Sequence, residues 1–212
     1  MIVDLKDQGI YRHYSAPSLH PRAAVFLDRD GVIVEEVGYL HTIEQTRLLP
    51  GVEVGIRQLN QYQIPTVIVT NQAGIGRGYY TWSEFETVER FIEETLAQSK
   101  AHFDAVWACA YHPQGEGDLG TEHLFRKPNT GMLTEAAQLM NLDLARSWMV
   151  GDKTIDIQLA INAGLQGAVL VRTGYGREME TEVRGLAAGY CEVHVRDTLA
   201  DAVSLILRKA QI

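Results

Sequence analysis

The feature that most constrains this chain is a short apolar run, Ala23-Ala24-Val25-Phe26-Leu27, which delivers two carboxylates, Asp28 and Asp30, into a turn at Gly31. A continuous apolar run bounded by turn residues reads as a strand buried on both faces of a parallel sheet. In open α/β sheets ligands bind outside the carboxyl ends of the strands, so the end carrying Asp28 and Asp30 marks the candidate functional edge. Asp and Gly also build ordinary turns. Taken alone, the motif divides evenly between turn chemistry and catalysis.

The same punctuation recurs along the chain. Residues 65–70 form a second apolar run that ends in Thr70-Asn71-Gln72 and a loop with Gly74, Gly76 and Gly78, whose backbone N–H groups can wrap an anion. Residues 103–111 read as a third strand, 147–150 as a fourth ending in Gly151-Asp152, and 168–171 as a fifth. An edge strand is expected at 190–195. Helical patterns lie between them at 52–63, 82–98, 132–142, 157–163 and 199–207, with Ser83 as N-cap and Glu86 as its acidic partner in the second, and Pro128 leading into the third. This alternation predicts an α/β fold, a doubly wound parallel sheet flanked by helices with no large cap domain. Residues 23–212 are expected to form one domain with loop insertions at 34–50 and 111–125. Residues 1–22, with Pro17 and Pro21 and no sustained period, are expected to be an irregular arm.

A formal net charge of -8 gives no general attraction to nucleic acid or to an anionic membrane, so any bound phosphate needs a local cationic site. No stretch is long and apolar enough to span a bilayer, and residues 1–20 lack a signal-peptide core. Two cysteines, Cys109 and Cys191, are too few for a disulfide framework and fit a reducing compartment. The expected location is the cytoplasm.

Strand ends of a parallel sheet converge on one edge, which brings together Asp28, Asp30, Thr70, Lys127 and Asp152. Asp28 and Asp152 can hold Mg²⁺ through oxygen ligands, and Lys127 adds a second positive charge that offsets repulsion between a carboxylate and a phosphoryl group. Thr70 can donate to a phosphoryl oxygen. Asp28 is then placed to attack phosphorus and form an aspartyl-phosphate, while Asp30 protonates the leaving alkoxide and later deprotonates water.

These residues resemble the haloacid dehalogenase-like phosphatase superfamily, whose four motifs match Asp28-Arg29-Asp30-Gly31, Thr70, Lys127 and Gly151-Asp152-Lys153-Thr154-Ile155-Asp156 in order. Thr70-Asn71-Gln72-Ala73-Gly74-Ile75-Gly76-Arg77-Gly78 and Arg126-Lys127-Pro128-Asn129-Thr130-Gly131-Met132 are similar to the capless branch of heptose bisphosphate and histidinol-phosphate phosphatases. The resemblance implies that Asp28 is the nucleophile and Asp30 the acid/base, with Mg²⁺ bound by Asp28, Asp152 and the backbone carbonyl of Asp30. It implies that Thr70 and Lys127 hold the transferring phosphoryl group, that Asn71 and Arg126 contact the substrate, and that Lys153 orients the acidic cluster beside it.

One departure bears on the substrate. Family members carry a zinc loop of the form Cys-x-His and then Cys-x-Cys before Arg-Lys-Pro, whereas the matching positions here are Cys109, Tyr111, His123 and Phe125. A closed structural zinc site needs four ligands, so Cys109, His112 and His123 are expected to leave the loop in place without Zn²⁺. The expected activity is Mg²⁺-dependent hydrolysis of a sugar phosphate, with D-glycero-D-manno-heptose 1,7-bisphosphate, an envelope precursor, as the leading substrate. Histidinol phosphate, a nucleic-acid 3′-phosphate, and a binding protein without catalysis are the alternatives. A small-molecule substrate and a monomer are expected.

Overall fold

The computed structural model describes residues 3–7 and 9–209. Among these residues, eight strands form one sheet in the order β1-β2-β5-β4-β3-β6-β7-β8. They are β1 Val3–Asp7, β2 Ile10–Tyr14, β3 Val25–Leu27, β4 Thr66–Asn71, β5 Ala105–Cys109, β6 Trp148–Gly151, β7 Gly167–Val171 and β8 Glu192–Arg196. β3 is central and pairs in parallel with β4 on one side and β6 on the other. From β5 to β8 every pairing is parallel.

Alternation along β3 divides the core in two. Val25 and Leu27 enter one apolar layer with Ile56, Leu59, Phe85, Val88 and Ile92, while Phe26 faces a second layer with Met132, Leu133, Ala136 and Ile157. The first layer is roofed by α1 Val52–Gln61, α3 Trp82–Gln98 and α7 Leu199–Lys209, the second by α4 Gly131–Met140, α5 Thr154–Asn162 and α6 Gly176–Arg184. A four-residue helical turn, α2 Ala73–Gly76, follows β4. Fully burying a side chain such as Phe26 contributes about 2 kcal/mol, which is why the short β3 holds its place.

The expected irregular arm is corrected. β1 and β2 form an antiparallel hairpin, and β2 pairs antiparallel with β5, so this segment extends the sheet. Ile10, Tyr11 and Tyr14 are buried; Tyr14 stacks on Trp107, and Arg12 pairs with Glu135 of α4. Those contacts order a strand whose own pattern is too short to announce itself. Met1, Ile2 and Gln8 of the expected arm lie outside the described residues.

Three local expectations are also corrected. The N-cap of α3 is Thr81, whose hydroxyl accepts from the Glu84 N–H while Glu84 returns a bond to the Thr81 N–H, so the capping box starts two residues before Ser83. Pro128 does not open α4, which begins at Gly131. Helix α6 was not expected from the pattern, because a mostly charged sequence buries only Gly176 and Val183 there. The 34–50 insertion is largely loop with one 3₁₀ turn, Ile43–Gln45, and the 111–125 insertion has another, Gly117–Leu119.

Candidate active site

The carboxyl ends of β3, β4 and β6 meet where the sheet order reverses about β3. Asp28, directly after β3, accepts from Lys127 Nζ at 2.7 Å through Oδ1. Lys127 also donates to the Val69 carbonyl at 3.0 Å and forms an ion pair with Asp156 Oδ1 at 2.7 Å. Burial alone would lower Lys127, but Asp156 and Asp28 outweigh it and hold the lysine above its usual range. One ammonium therefore bridges two buried carboxylates.

Asp152 supplies the third acid. Its Oδ2 accepts from the Tyr175 N–H at 2.9 Å, while its Oδ1 is buried and has no hydrogen-bond partner. Ligand atoms of Asp28, Asp152 and Asp156 lie within 4.8 Å of one another. Burial, then the like charges of Asp28 and Asp156, push Asp152 up to about 8; burial also pushes Asp28 to about 6 against the pull of Lys127. Buried carboxylates at this separation fit a hard divalent cation, for which Asp152 Oδ1 is the ready ligand. Two glycines make room for Asp152. A Cβ on Gly31 or Gly174 would fall 2.2 or 2.1 Å from its Oδ2, and both have positive φ.

Asp30 is turned away from that triad. Its carboxylate accepts from Arg29 Nη2 at 3.0 Å and from Gln72 Nε2 at 3.0 Å. Gln72 also donates to Thr70 Oγ1 at 2.8 Å, which leaves the Thr70 hydroxyl proton free to be given elsewhere. The acidic side chain that the sequence reading left out of the site is thus Asp156, placed one turn into α5. Its signal was its position four residues after Asp152 in the same motif.

The expected substrate contacts occupy different surroundings. Asn71 is committed to the backbone of Lys127, accepting its N–H at 3.0 Å and donating to its carbonyl at 3.2 Å, so it places the lysine. Arg126 is half-buried at the rim and donates to the Tyr111 carbonyl at 3.1 Å. Lys153 pairs with Glu36 of the 34–50 insertion at 2.7 Å and sits 4.7 Å over the Tyr175 ring. The loop after β4 is packed and not open, since a Cβ at Gly74 would meet Tyr80 at 2.1 Å.

At the altered loop, the His123 ring stacks on Tyr111 with centroids 4.0 Å apart and lies 5.7 Å from Phe125, with the Arg12 guanidinium beyond. Tyr111 and Phe125, which stand where the family pattern has a histidine and a cysteine, thus flank His123 with aromatic rings. Cys109 is fully buried in β5, and burial pushes its thiol up to about 11.

A parallel sheet that gathers a lysine-bridged acid cluster and an Asp-x-Asp turn defines a hydrolase of the haloacid dehalogenase-like class. A family model described as HAD-hydrolase-like matches residues 124–202. The chain is 46% identical over 161 residues to the D-glycero-D-manno-heptose-1,7-bisphosphate 7-phosphatase of Thermosynechococcus vestitus, covering 74% of this chain and 82% of that one. It is 41% identical to the corresponding Escherichia coli K12 enzyme, covering 71% and 80%. The crystal structure of the D,D-heptose 1,7-bisphosphate phosphatase of B. bronchiseptica with magnesium and phosphate superposes with a TM-score of 0.78 at 30% identity, covering 88% and 99%. The chain belongs to the haloacid dehalogenase-like phosphatases.

Proposed function

We propose that this phosphatase removes the C7 phosphate of D-glycero-D-manno-heptose 1,7-bisphosphate, with Mg²⁺, through an aspartyl-phosphate on Asp28. The observation that carries the reading is the lysine-bridged acid cluster, in which Lys127 Nζ lies 2.7 Å from Asp28 and an unpartnered Asp152 oxygen sits beside both. The named relatives supply the choice of sugar.

Asp28, pushed to about 6, is chiefly ionised at neutral pH and is available to attack phosphorus. Asp28 and Asp152, with the Asp30 backbone carbonyl, are the residues that would hold Mg²⁺. Bound there, the cation would supply charge neutralisation at the phosphoryl oxygens, which would ease the approach of a carboxylate. Lys127 and the Thr70 hydroxyl bind the phosphoryl oxygens as charge moves onto them, and one such donor contributes about 10²- to 10³-fold in rate. The bond from phosphorus to the sugar oxygen breaks, and Asp30 gives its proton to that oxygen. Asp30 then takes a proton from water as the water attacks the aspartyl-phosphate, which releases phosphate and restores Asp28.

Arg126, and Asn71 through Lys127, serve substrate binding, while Lys153 braces the acid cluster and the 34–50 insertion. Asp156 sets Lys127. The chain acts on a small molecule, as a monomer in the cytoplasm; among the described residues no helix is long and apolar enough to cross a membrane. The acidic balance argues against a nucleic-acid substrate. The aromatic stack at Tyr111, His123 and Phe125 supports a loop held without zinc.

The test is phosphate release by the parent and by Asp28→Asn, with Mg²⁺ or with EDTA. Both anomers of the heptose bisphosphate, histidinol phosphate and a 3′-phosphorylated oligonucleotide are compared. The expected result is fastest release from one heptose anomer, loss of release in EDTA, and a loss of at least about 10³-fold in a folded Asp28→Asn protein. Equal turnover by Asp28→Asn overturns the mechanism, and faster release from another ester overturns the substrate.

A further inference from the structure

The guanidinium of Arg29 is fully buried between the sheet and α3. It donates from Nη1 to Glu89 Oε1 at 2.8 Å, from Nη2 to Asp30 Oδ1 at 3.0 Å and to Gln72 Oε1 at 3.1 Å, and from Nε to Asp30 Oδ2 at 3.2 Å. The Phe85 ring lies beneath it, 5.0 Å from the guanidinium carbon to the ring centroid. The Tyr80 hydroxyl donates to the same Gln72 oxygen at 2.5 Å. Every face of the guanidinium is therefore fixed, and two arms of the network end on the Asp30 carboxylate.

Glu89 is costly where it stands. It comes from the middle of α3 into the apolar layer, is 3% exposed, and keeps one carboxylate oxygen with no hydrogen-bond partner. Burial pushes it up to about 7 even against the pull of Arg29. Replacing a whole buried ion pair by apolar residues is often neutral, but removing one partner leaves the other charge uncompensated, so Glu89 balances the buried Arg29. What it accomplishes beyond that is directional. With Glu89 on Nη1, the fork of Arg29 can face Asp30 only edge-on, through Nε and Nη2.

We propose that Glu89 is a positioning residue for Asp30, acting through Arg29 and Gln72 to hold the Asp30 carboxylate toward the leaving-group oxygen and away from the cluster of Asp28, Asp152 and Asp156. The inference rests on the acid/base role given to Asp30 above. Helix α3 thereby takes part in positioning the acid/base residue. It also explains why Asp30 accepts from Gln72, whose other side-chain bonds run to Arg29, Thr70 and Tyr80: the proton-transfer residue and the phosphoryl-binding hydroxyl share one rigid frame.

The experiment compares the parent with Glu89→Leu and Glu89→Gln on two Mg²⁺-supported reactions. One is the heptose bisphosphate, whose alkoxide needs a proton to leave; the other is p-nitrophenyl phosphate, whose phenolate does not. In Glu89→Leu, kcat and kcat/KM for the sugar ester are expected to fall about 30-fold with KM within about threefold, part of the 10²- to 10⁴-fold that a placed acid supplies. For p-nitrophenyl phosphate kcat/KM is expected to stay within about threefold, because that step needs little protonation. Glu89→Gln, which keeps an acceptor for Nη1, is expected to recover most of the sugar-ester rate. Glu93→Gln, one turn further along α3, is the control and is expected to match the parent on both esters.

Equal losses on both esters, or no loss in a folded Glu89→Leu protein, overturn the inference while leaving the phosphatase reading intact. A parent that hydrolyses neither ester overturns that reading and this one with it. Should Glu89→Leu not fold, Tyr80→Phe carries the test, since it removes only the hydroxyl that steadies Gln72. A smaller loss confined to the sugar ester supports the inference, and a loss shared by both esters or none at all refutes it.

Discussion

The reactive edge and the rim loop at 111–125 sit side by side and are built on opposite terms. At the edge, Asp28, Asp152 and Asp156 are buried together with Lys127 bridging two of them, and one Asp152 oxygen lacks a hydrogen-bond partner. At the rim, polar and aromatic groups are half-exposed and satisfied: His123 stacks on Tyr111, and Arg126 donates to the Tyr111 carbonyl. The edge is strained electrostatically for chemistry, whereas the rim is comfortable and replaceable. On the roles proposed above, catalysis and substrate choice belong to separable parts of the molecule.

Arg126→Ala tests that separation with the largest effect. Loss of a charge-assisted contact is expected to lower kcat/KM for the heptose bisphosphate about 30-fold, in line with roughly 1.5–3 kcal/mol for a hydrogen bond to a charged group. The same variant is expected to hydrolyse p-nitrophenyl phosphate within about threefold of the parent, because the edge is untouched. Equal losses on both would show that rim and edge are one unit.

The electrostatic strain at the edge makes a prediction about pH. Asp152 and Asp28 rise from the ordinary 3.8 to about 8 and about 6 in the folded, metal-free chain. The folded state thus binds protons more tightly than the unfolded state. That contribution to stability is complete below about pH 3.9 and is lost as pH rises first through the Asp28 value and then through the Asp152 value. Mg²⁺ binds the deprotonated carboxylates, so the rise in Tm on adding it is expected to grow from about pH 5 to about pH 8. A rise in Tm that is flat or shrinking over that range would break the contrast with the rim.

The smallest effect belongs to the rim itself. His123→Ala removes the ring between Tyr111 and Phe125 and is expected to cost about 1 kcal/mol, a few degrees in Tm, with p-nitrophenyl phosphate turnover unchanged. Zinc added to the parent is expected to leave that Tm where it is. A zinc-dependent rise abolished by His123→Ala would replace the stack with a metal site.

The same division marks what could be read from the sequence. The strand ends that build the edge were legible, because an apolar run ending in Asp-x-Asp or Gly-Asp must surface at the carboxyl edge of a parallel sheet. Asp156 and Glu89 were harder. The first lies inside a helix, where an acid one turn in reads as capping, and it does bond the Lys153 N–H. The second sits in α3 among other glutamates, and only packing distinguishes a buried Glu89 from an exposed Glu84 or Glu94. The β1–β2 hairpin escaped for a related reason: its order comes from pairing with β5 and from the Tyr14–Trp107 stack, contacts that span most of a hundred residues. Asn71 was identified as a site residue, but that its amide is spent on the Lys127 backbone is a matter of three-dimensional placement alone.

The account stands on Asp28 as the group that receives the phosphoryl. Rapid quench of the Mg²⁺-loaded protein with heptose bisphosphate radiolabelled at the C7 phosphate, followed by peptide mapping, tests this directly. The predicted result is a transient, acid-stable and base-labile label on the peptide that contains Asp28, absent in Asp28→Asn. Full turnover with no labelled protein at any time, or label on a peptide that lacks Asp28, would contradict it.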